Sequence, residues 1–533
     1  MSTCTLKPLQ FDFKSPRWVP LNANSVDDAM AWATVAVPKL RQTHVHEEGM
    51  PIEAMLAIIT APDFILTTSS AFSGVDSPCQ ADRQFRSACE KLAAQHGCRP
   101  DALFRIRNLH GIEKDTLCQT ELLNAQECPD HLHGDILSFL PMNLQRDCGL
   151  HGGTELPACE LKTRILSCSI RTSSWCFRCG AECALESAHI HRAGTPCTDD
   201  SVMGARQGRS GRCAKQFYAR VRLRRCLRER LIVHENVWLF GVDEMTEVLG
   251  DLYIILRLKA DPQTLGWATQ RVRQLLLLVL RAWIYPALVD ATRLDSMCLE
   301  SFVTAVFERK CQFSWRDYFV SNAEECEIEK AWAGNRAALR KLRGPWQGGS
   351  WADALSEAER ARAAEYADLC GTDILCDLGQ NPNKRPLRSN GQVMHTVIRG
   401  NHLTYDLQQK KWMTTVDLWT AHGWPVTASA VQAAGCDSPF VRGRPSPSSR
   451  SCRSQRCQVG NSMHINVMGI FSVYTVFQFG PLLMASATEA ISSIPDAHHK
   501  DEDQQEDTAK KEARRKCAEF RERFLKRSRQ RRV

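Results

Sequence analysis

Cys197 follows Gly194-Thr195-Pro196 in the stretch HRAGTPCTDDS. A free thiol of pKa about 8.5 is only a few per cent ionised at neutral pH. A nucleophilic cysteine therefore needs help in losing its proton, and a substrate activated by an acid. Glu235, at the end of the apolar run in LIVHENVW, is placed to be that acid. A carboxylate at the end of a buried strand, beside a loop carrying a cysteine, makes a nucleophile and acid pair. Each residue alone has a plainer reading. A cysteine is usually a small hydrophobe in packing, and a glutamate ending a strand is usually a solvated charge.

A second constellation is CFRCGAEC, with Cys176, Cys179 and Cys183, followed by His189 and His191. Its spacing could hold zinc, but structural sites need a fourth ligand and usually a second pair. With that pair missing, the expectation is reduced cysteines in an insertion and no metal. Trp315, Tyr318 and Phe319 could stack on a base, although aromatic residues at such spacing are more often core.

These residues need a scaffold. From about 51 to 289, strand-length apolar segments alternate with helical ones, which predicts an α/β sheet. Residues 1–50 show no periodicity and read as an N-terminal arm. Over 290–395 the pattern turns helical and irregular. SFVTAVFERK and WADALSEAERARAAEYADL read as helices, the second with Ser350 as its N-cap, separated by the glycine-rich loop RGPWQGGSW. Residues 438–456 are a Pro/Ser-rich linker or exposed loop. No internal repeat is present.

The chain has 533 residues, 43% hydrophobic and 24% charged, ordinary for a globular protein with a sizeable core. The first residues lack a basic flank followed by an apolar run, so no secretory signal is expected. The 24 cysteines are then expected to be reduced. LLLLVL at 275–280 is far short of the roughly 20 residues of a membrane span. The stretch 465–485 is long enough but is diluted by Asn466, Ser472, Gln478 and Pro481. The two read as a buried strand and a buried helix, and no membrane is expected. The segment 510–533 carries twelve Lys/Arg against three Glu, more than the whole chain's formal +8. It reads as a solvated tail, a nuclear-import signal or a nucleic-acid-binding arm. The remainder is close to neutral, so net charge does not argue for nucleic-acid binding.

Taken in order, Pro196-Cys197, Glu235-Asn236-Val237 and Arg271-Val272-Arg273 resemble the cytosine-5 nucleic-acid methyltransferase family. Upstream, AFSGVDSP resembles its cofactor loop at Phe72, Ser73, Gly74 and Val75. GIEKDTLCQ resembles the segment whose acid, here Glu113, grips the cofactor ribose. HGDIL resembles the segment whose aspartate, here Asp135 beside Ile136, reads the adenine amine. Downstream, WMTTVDLWTAHGWPV (412–426) and QVGNSMHINVMG (458–469) resemble the family's late and closing segments. The resemblance spans roughly residues 64–480. Asp76 stands where the loop's second glycine is expected, Thr198 where a glutamine commonly follows the cysteine, Thr269 at the family's glutamine, and His464 where a small residue is usual.

The resemblance implies a Rossmann-like sheet that uses S-adenosylmethionine, with an inserted, mainly helical or irregular target-recognition region. It implies an arm over 1–50, a catalytic domain over 51–289 and 396–490, target recognition over 290–395 and a charged tail over 491–533. It implies methyl transfer to carbon 5 of cytosine in DNA, with RNA as an alternative substrate. A catalytically impaired nucleic-acid-binding relative is the other alternative. Cys197 would be the nucleophile, Glu235 the group engaging the ring nitrogen, and Arg271 and Arg273 the residues ordering the base pocket. Phe72, Ser73, Gly74, Val75, Glu113, Asp135, Ile136, Pro196, Asn461 and Ser462 would surround the cofactor. A nuclear location is expected from the basic C-terminal tail and the lack of a secretory signal.

Overall fold

The computed structural model describes residues 21–40, 52–201, 206–284, 294–340, 346–384, 386–400, 402–442 and 451–487. Of the expected arm, residues 1–20 and 41–50 lie outside the described residues, as do 443–450 of the linker and the whole tail 491–533.

Nine strands build the central sheet: β1 (Ile65–Ala71), β2 (Arg105–Ile112), β3 (His131–His133), β4 (Ser173–Cys176), β5 (Ala181–Ala184), β6 (Ile190–Gly194), β7 (Leu231–Val237), β8 (Tyr253–Ala260) and β9 (Arg273–Leu280). Their spatial order is β5-β4-β3-β2-β1-β6-β7-β9-β8. The run from β3 to β7 is parallel, while β9 runs antiparallel to both its neighbours. Counted outward from β1, this is the doubly wound Rossmann order with a reversed strand inserted near one edge. The α/β class expected from the alternation is the class observed.

The apolar run in β9 shows how the sheet is buried. Leu275, Leu277 and Val279 join the core on one face, and Leu276, Leu278 and Leu280 the core on the other. A strand covered on both faces reads as a continuous apolar run because neither face can be polar. The helix Ile465–Ala487 is long and apolar enough to cross a membrane, yet 78% of its most apolar window is buried inside the fold. Val467, Ile470, Phe471 and Tyr474 lie in the main core, as expected of a buried helix.

The parallel sheet reverses its winding between β1 and β6, where Ala71 pairs with Ala193. Loops leaving the carboxyl ends of two such strands diverge and leave a crevice, the usual ligand position in this architecture. The glycine turn after β1 and the cysteine loop after β6 open there.

Three expectations are corrected. Residues 21–40 are not an arm. Leu21–Ala23 pairs in parallel with Arg309–Cys311, and Trp32 is buried, hydrogen-bonded to Gln84 and packed where any side chain on Gly469 would collide with it. The second helix of the 290–395 region spans Glu357–Cys370 and is capped by Ser356, not Ser350. Ser356 and Glu359 form a reciprocal capping box that satisfies two otherwise orphaned amides. The expected boundary at 395/396 divides one small sheet, since Leu375–Asp377 pairs with Thr404–Asp406. That sheet has its own core of Tyr366, Leu375's neighbour Cys376, Leu403, Tyr405 and Trp412. By contrast Phe302, Val306, Trp315 and Tyr318 belong to the main core, so the aromatic trio at 315–319 is largely structural.

Candidate active site

Two adjacent parallel strands bring Cys197 and Glu235 to the same end of the sheet. Gly194, the last residue of β6, pairs with Glu235 on β7, and Cys197 lies three residues further on. Asn236 ties the two together. Its side-chain amide donates to the Thr195 hydroxyl at 3.0 Å and to the Thr195 carbonyl at 3.3 Å. The loop then turns, with the amides of Asp200 and Ser201 donating to the Cys197 carbonyl. Asp199, buried, accepts from the Cys213 amide at 2.7 Å and anchors the far side.

Close approach explains the glycine at 194. A Cβ there would lie 2.6 Å from Met463 Cε and 3.1 Å from Glu235 Oε2, so a side chain would push the glutamate away from the loop. Glu235 is 9% exposed and is paired through Oε1 with Arg273 Nε at 2.9 Å. Burial pushes the Cys197 thiol above its ordinary range, the nearby Arg273 opposes this, and Glu235 reinforces it. Cys197 is therefore held as the thiol at neutral pH.

Arg271 has a different job. Its backbone N–H donates to Asp261 Oδ1 at 2.9 Å, and its guanidinium donates to the carbonyls of Val397 at 3.0 Å and Ser462 at 2.8 Å. It thus fastens the closing segment 458–469 beside the cysteine loop. Burial, with Arg273 as a second cause, lowers its pKa to about 9. Its Nε is buried without a hydrogen-bond partner among the described residues. Among the described residues, neither Thr269 nor Gln270 makes a side-chain hydrogen bond to Cys197 or Glu235. The Thr269 hydroxyl bonds to the Tyr318 hydroxyl at 3.0 Å and donates to the Ala421 carbonyl at 3.2 Å, so it serves packing. His464 is buried edge-on against Trp267 at 5.0 Å.

The upstream residues gather at the ends of β1, β2 and β3. Phe72 and Gly74 both adopt left-handed backbone, φ +55°, and a Cβ on Gly74 would meet nothing within 4 Å. Glu113, just past β2, accepts the Gly74 amide on Oε2 and the Asp115 amide on Oε1, both at 2.7 Å. Ser73 bonds to the Ser70 hydroxyl at 2.7 Å, and Val75 is buried. Asp135 caps a short 3-10 turn through the Leu137 amide and lies 3.4 Å from Lys114 Nζ. Ile136 is buried beneath it. Pro196 is half-buried beside Cys197, Asn461 ends the helix Cys452–Asn461 in an exposed position, and Ser462 is buried.

Asp76 also sits at φ +58°, the conformation that a glycine adopts freely and that costs another residue roughly 1–2 kcal/mol. It is kept there by capping the helix Ser77–Gln95 through the Cys79 amide and by accepting from Asn108 Nδ2 at 3.0 Å. Burial raises its carboxyl to about 6. Because that value lies above the ordinary one of 3.8, the folded chain holds this proton more tightly than the unfolded chain. The carboxyl therefore costs stability progressively as pH rises through about 4 to 6, reaching about 3 kcal/mol above that window. Asp76→Gly is expected to melt at least as high as the parent at pH 7, with the advantage shrinking towards pH 4. Parallel melting curves whose difference does not change with pH would refute this.

Three contributors escaped the sequence reading. Asn236 was visible as part of a motif, but its hold on Thr195 was not. Asp261 and Met463 carry no local signal. The histidines expected near the cysteine triad lie elsewhere: His189 Nδ1 accepts from the Thr67 amide at 3.0 Å, and His191 is 2.9 Å from the Ser69 hydroxyl. His131, on β3, joins Cys176, Cys179 and Cys183 instead.

No family model matches the chain, and no curated protein matches it. Solved structures do. A protein described as a prophage-encoded DNA modification methyltransferase from E. coli aligns with a TM-score of 0.39 at 13% identity, over 79% of this chain and 99% of that one. The Dnmt2 methyltransferase of S. pombe aligns with a TM-score of 0.38 at 11% identity, over 78% and 99%. The methyltransferase EhMeth of Entamoeba histolytica aligns with a TM-score of 0.35 at 12% identity, over 78% and 98%. These three solved structures, to which this chain is similar, are described as methyltransferases.

Proposed function

We propose that this chain is a divergent cytosine-5 methyltransferase, transferring a methyl group from S-adenosylmethionine to carbon 5 of cytosine in DNA. The observation that carries the reading is the pairing of Gly194 with Glu235, which sets a cysteine loop and an acid side by side at the winding reversal of the sheet.

The turn Phe72–Val75, Glu113 and Asp135 would hold the cofactor, with Ile136, Pro196, Asn461 and Ser462 around it. The open space before Gly74 fits close approach of a ligand to backbone. Glu113 already accepts two amides, but a carboxylate has about four acceptor positions, so hydroxyl groups can still be bound. S-adenosylmethionine supplies an electrophilic methyl group when bound.

Cys197, once deprotonated, adds its sulfur to carbon 6 of the cytosine. The electron pair of the 5,6 double bond moves to join carbons 4 and 5, and the pair between carbon 4 and nitrogen 3 goes to that nitrogen. Glu235 delivers the proton it takes up. Carbon 5 is thereby made nucleophilic, and Arg273 holds the Glu235 carboxylate in place through the 2.9 Å contact. Once carbon 5 carries the methyl group and the double bond between carbon 4 and nitrogen 3 has re-formed, Glu235 takes back the nitrogen proton, and loss of the carbon 5 proton to a base with departure of the thiolate from carbon 6 restores the ring.

Fluorine at carbon 5 blocks that proton loss. Wild-type protein given S-adenosylmethionine and 5-fluorocytosine DNA should accumulate a covalent complex that survives denaturing gel electrophoresis. RNA of the same sequence, run in parallel, tests the alternative substrate. A complex on RNA alone would move the reading to RNA, and none on either polymer would overturn it.

A further inference from the structure

The geometry points to a structural zinc site at the edge of the central sheet, held by His131, Cys176, Cys179 and Cys183. It stands independently of the methyltransferase reading. Three donors come from the hairpin β4–β5 and its turn, and the fourth from the neighbouring strand β3. Their ligand atoms all lie within 4.8 Å of one another. His131 Nδ1 is 3.9 Å from Cys176 Sγ and 3.4 Å from Cys179 Sγ. A tetrahedral zinc ion with Zn–S of about 2.3 Å and Zn–N of about 2.1 Å sets sulfur and nitrogen about 3.6 Å apart. The two separations bracket that value.

The backbone is arranged for the same purpose. The amides of Leu132 and Cys179 both donate to Cys176 Sγ, at 3.3 and 3.4 Å. Two N–H donors on one sulfur suit a metal-bound thiolate, whose negative charge they share. Gly180, at φ +65°, reverses the chain directly after Cys179 and returns Cys183 on β5. Arg178, between the first two cysteines, donates to the carbonyls of Cys128 at 3.1 Å and Pro129 at 2.6 Å. This fastens the turn to the segment leading into His131. Cys176 is buried, Cys179 exposed, and Cys183 and His131 half-buried, so an ion can enter from solvent.

Four protein ligands leave no open coordination position, which makes the site structural. What it braces is specific. Cys176 pairs with His133, the Phe177 amide donates to the Leu132 carbonyl at 2.7 Å, and Asp135 follows four residues after His131. The ion would clamp the edge hairpin onto the strand that delivers Asp135.

Untagged full-length protein, produced in zinc-supplemented medium and kept reduced, should contain about one zinc per chain by elemental analysis. Cys179→Ser and His131→Ala should each lose most of that zinc, whereas His189→Ala and Cys159→Ser should keep it. Cobalt(II) exchanged into the wild type should give thiolate charge-transfer and tetrahedral d–d absorption, a readout that needs no variant to fold. Zinc below about a tenth per chain in wild type, zinc retained by Cys179→Ser with Cys183→Ser, or a cobalt spectrum lacking thiolate bands would each overturn the site.

Discussion

Cys197→Ser is expected to abolish the covalent complex on 5-fluorocytosine DNA and to lower methyl transfer at least about a thousandfold, since removing a nucleophile leaves only binding and orientation. A serine hydroxyl is far less ionised at neutral pH and less nucleophilic than a thiol. Because burial already holds the Cys197 thiol above its ordinary range, the wild-type trapping rate should climb as pH rises from about 7 towards 9. Glu235→Gln, which removes the proton donor but preserves shape, should slow trapping by about a hundredfold to ten-thousandfold while leaving cofactor binding by calorimetry unchanged. A complex that persists in Cys197→Ser would transfer the nucleophile's role to another cysteine. A trapping rate that falls with pH would contradict the protonated resting state.

The second large effect concerns the frame beneath the site. Arg192 on β6 forms a bidentate pair with Asp82 on the helix Ser77–Gln95, and Ser472 donates to Asp82 Oδ1 at 2.7 Å. Both ionic side chains are under 5% exposed. Attraction between buried charges offsets their loss of hydration only while both are present. Arg192→Met should therefore cost about 3–5 kcal/mol, because Asp82 is left charged and unpaired. Adding Asp82→Leu to Arg192→Met should recover much of that loss, giving a strongly non-additive cycle in denaturant unfolding. A cost under about 1 kcal/mol for Arg192→Met would show that the pair is not the brace it is taken for. Since Arg192 lies two residues before Gly194, the loss should also loosen the cysteine loop.

Much of the architecture was legible from local pattern. Alternating apolar segments announced an α/β sheet, the run at 275–280 announced a buried strand, and 465–485 announced a buried helix. Each of these depends on side chains a few positions apart, which the sequence displays directly. The positive φ of Asp76 likewise agrees with a glycine's place in the turn. Boundaries were less legible. Ser350 and Ser356 are both serines followed three residues later by an acid, and both make the reciprocal bonds with it, but the helix that follows Ser356 is the one that buries Tyr366 in the small core.

Sequence order alone determined the types of residue available at the ends of β1, β2, β3, β6 and β7, because strand and loop alternate along the chain. Tertiary structure alone decided which of them meet. Glu235 faces Gly194 through strand register, Arg271 reaches Ser462 across 191 positions, and Trp32 finds Gly469 although no local period marks either. His131, not His189 or His191, completes the cysteine cluster for the same reason. Of the two nearer histidines, His189 stands just before β6 and His191 on it, both bonded to β1, whereas His131 stands on β3, where the hairpin β4–β5 docks. Local propensity acts over a few residues, but contacts between distant segments are selected by the packing and hydrogen-bond satisfaction of the whole sheet.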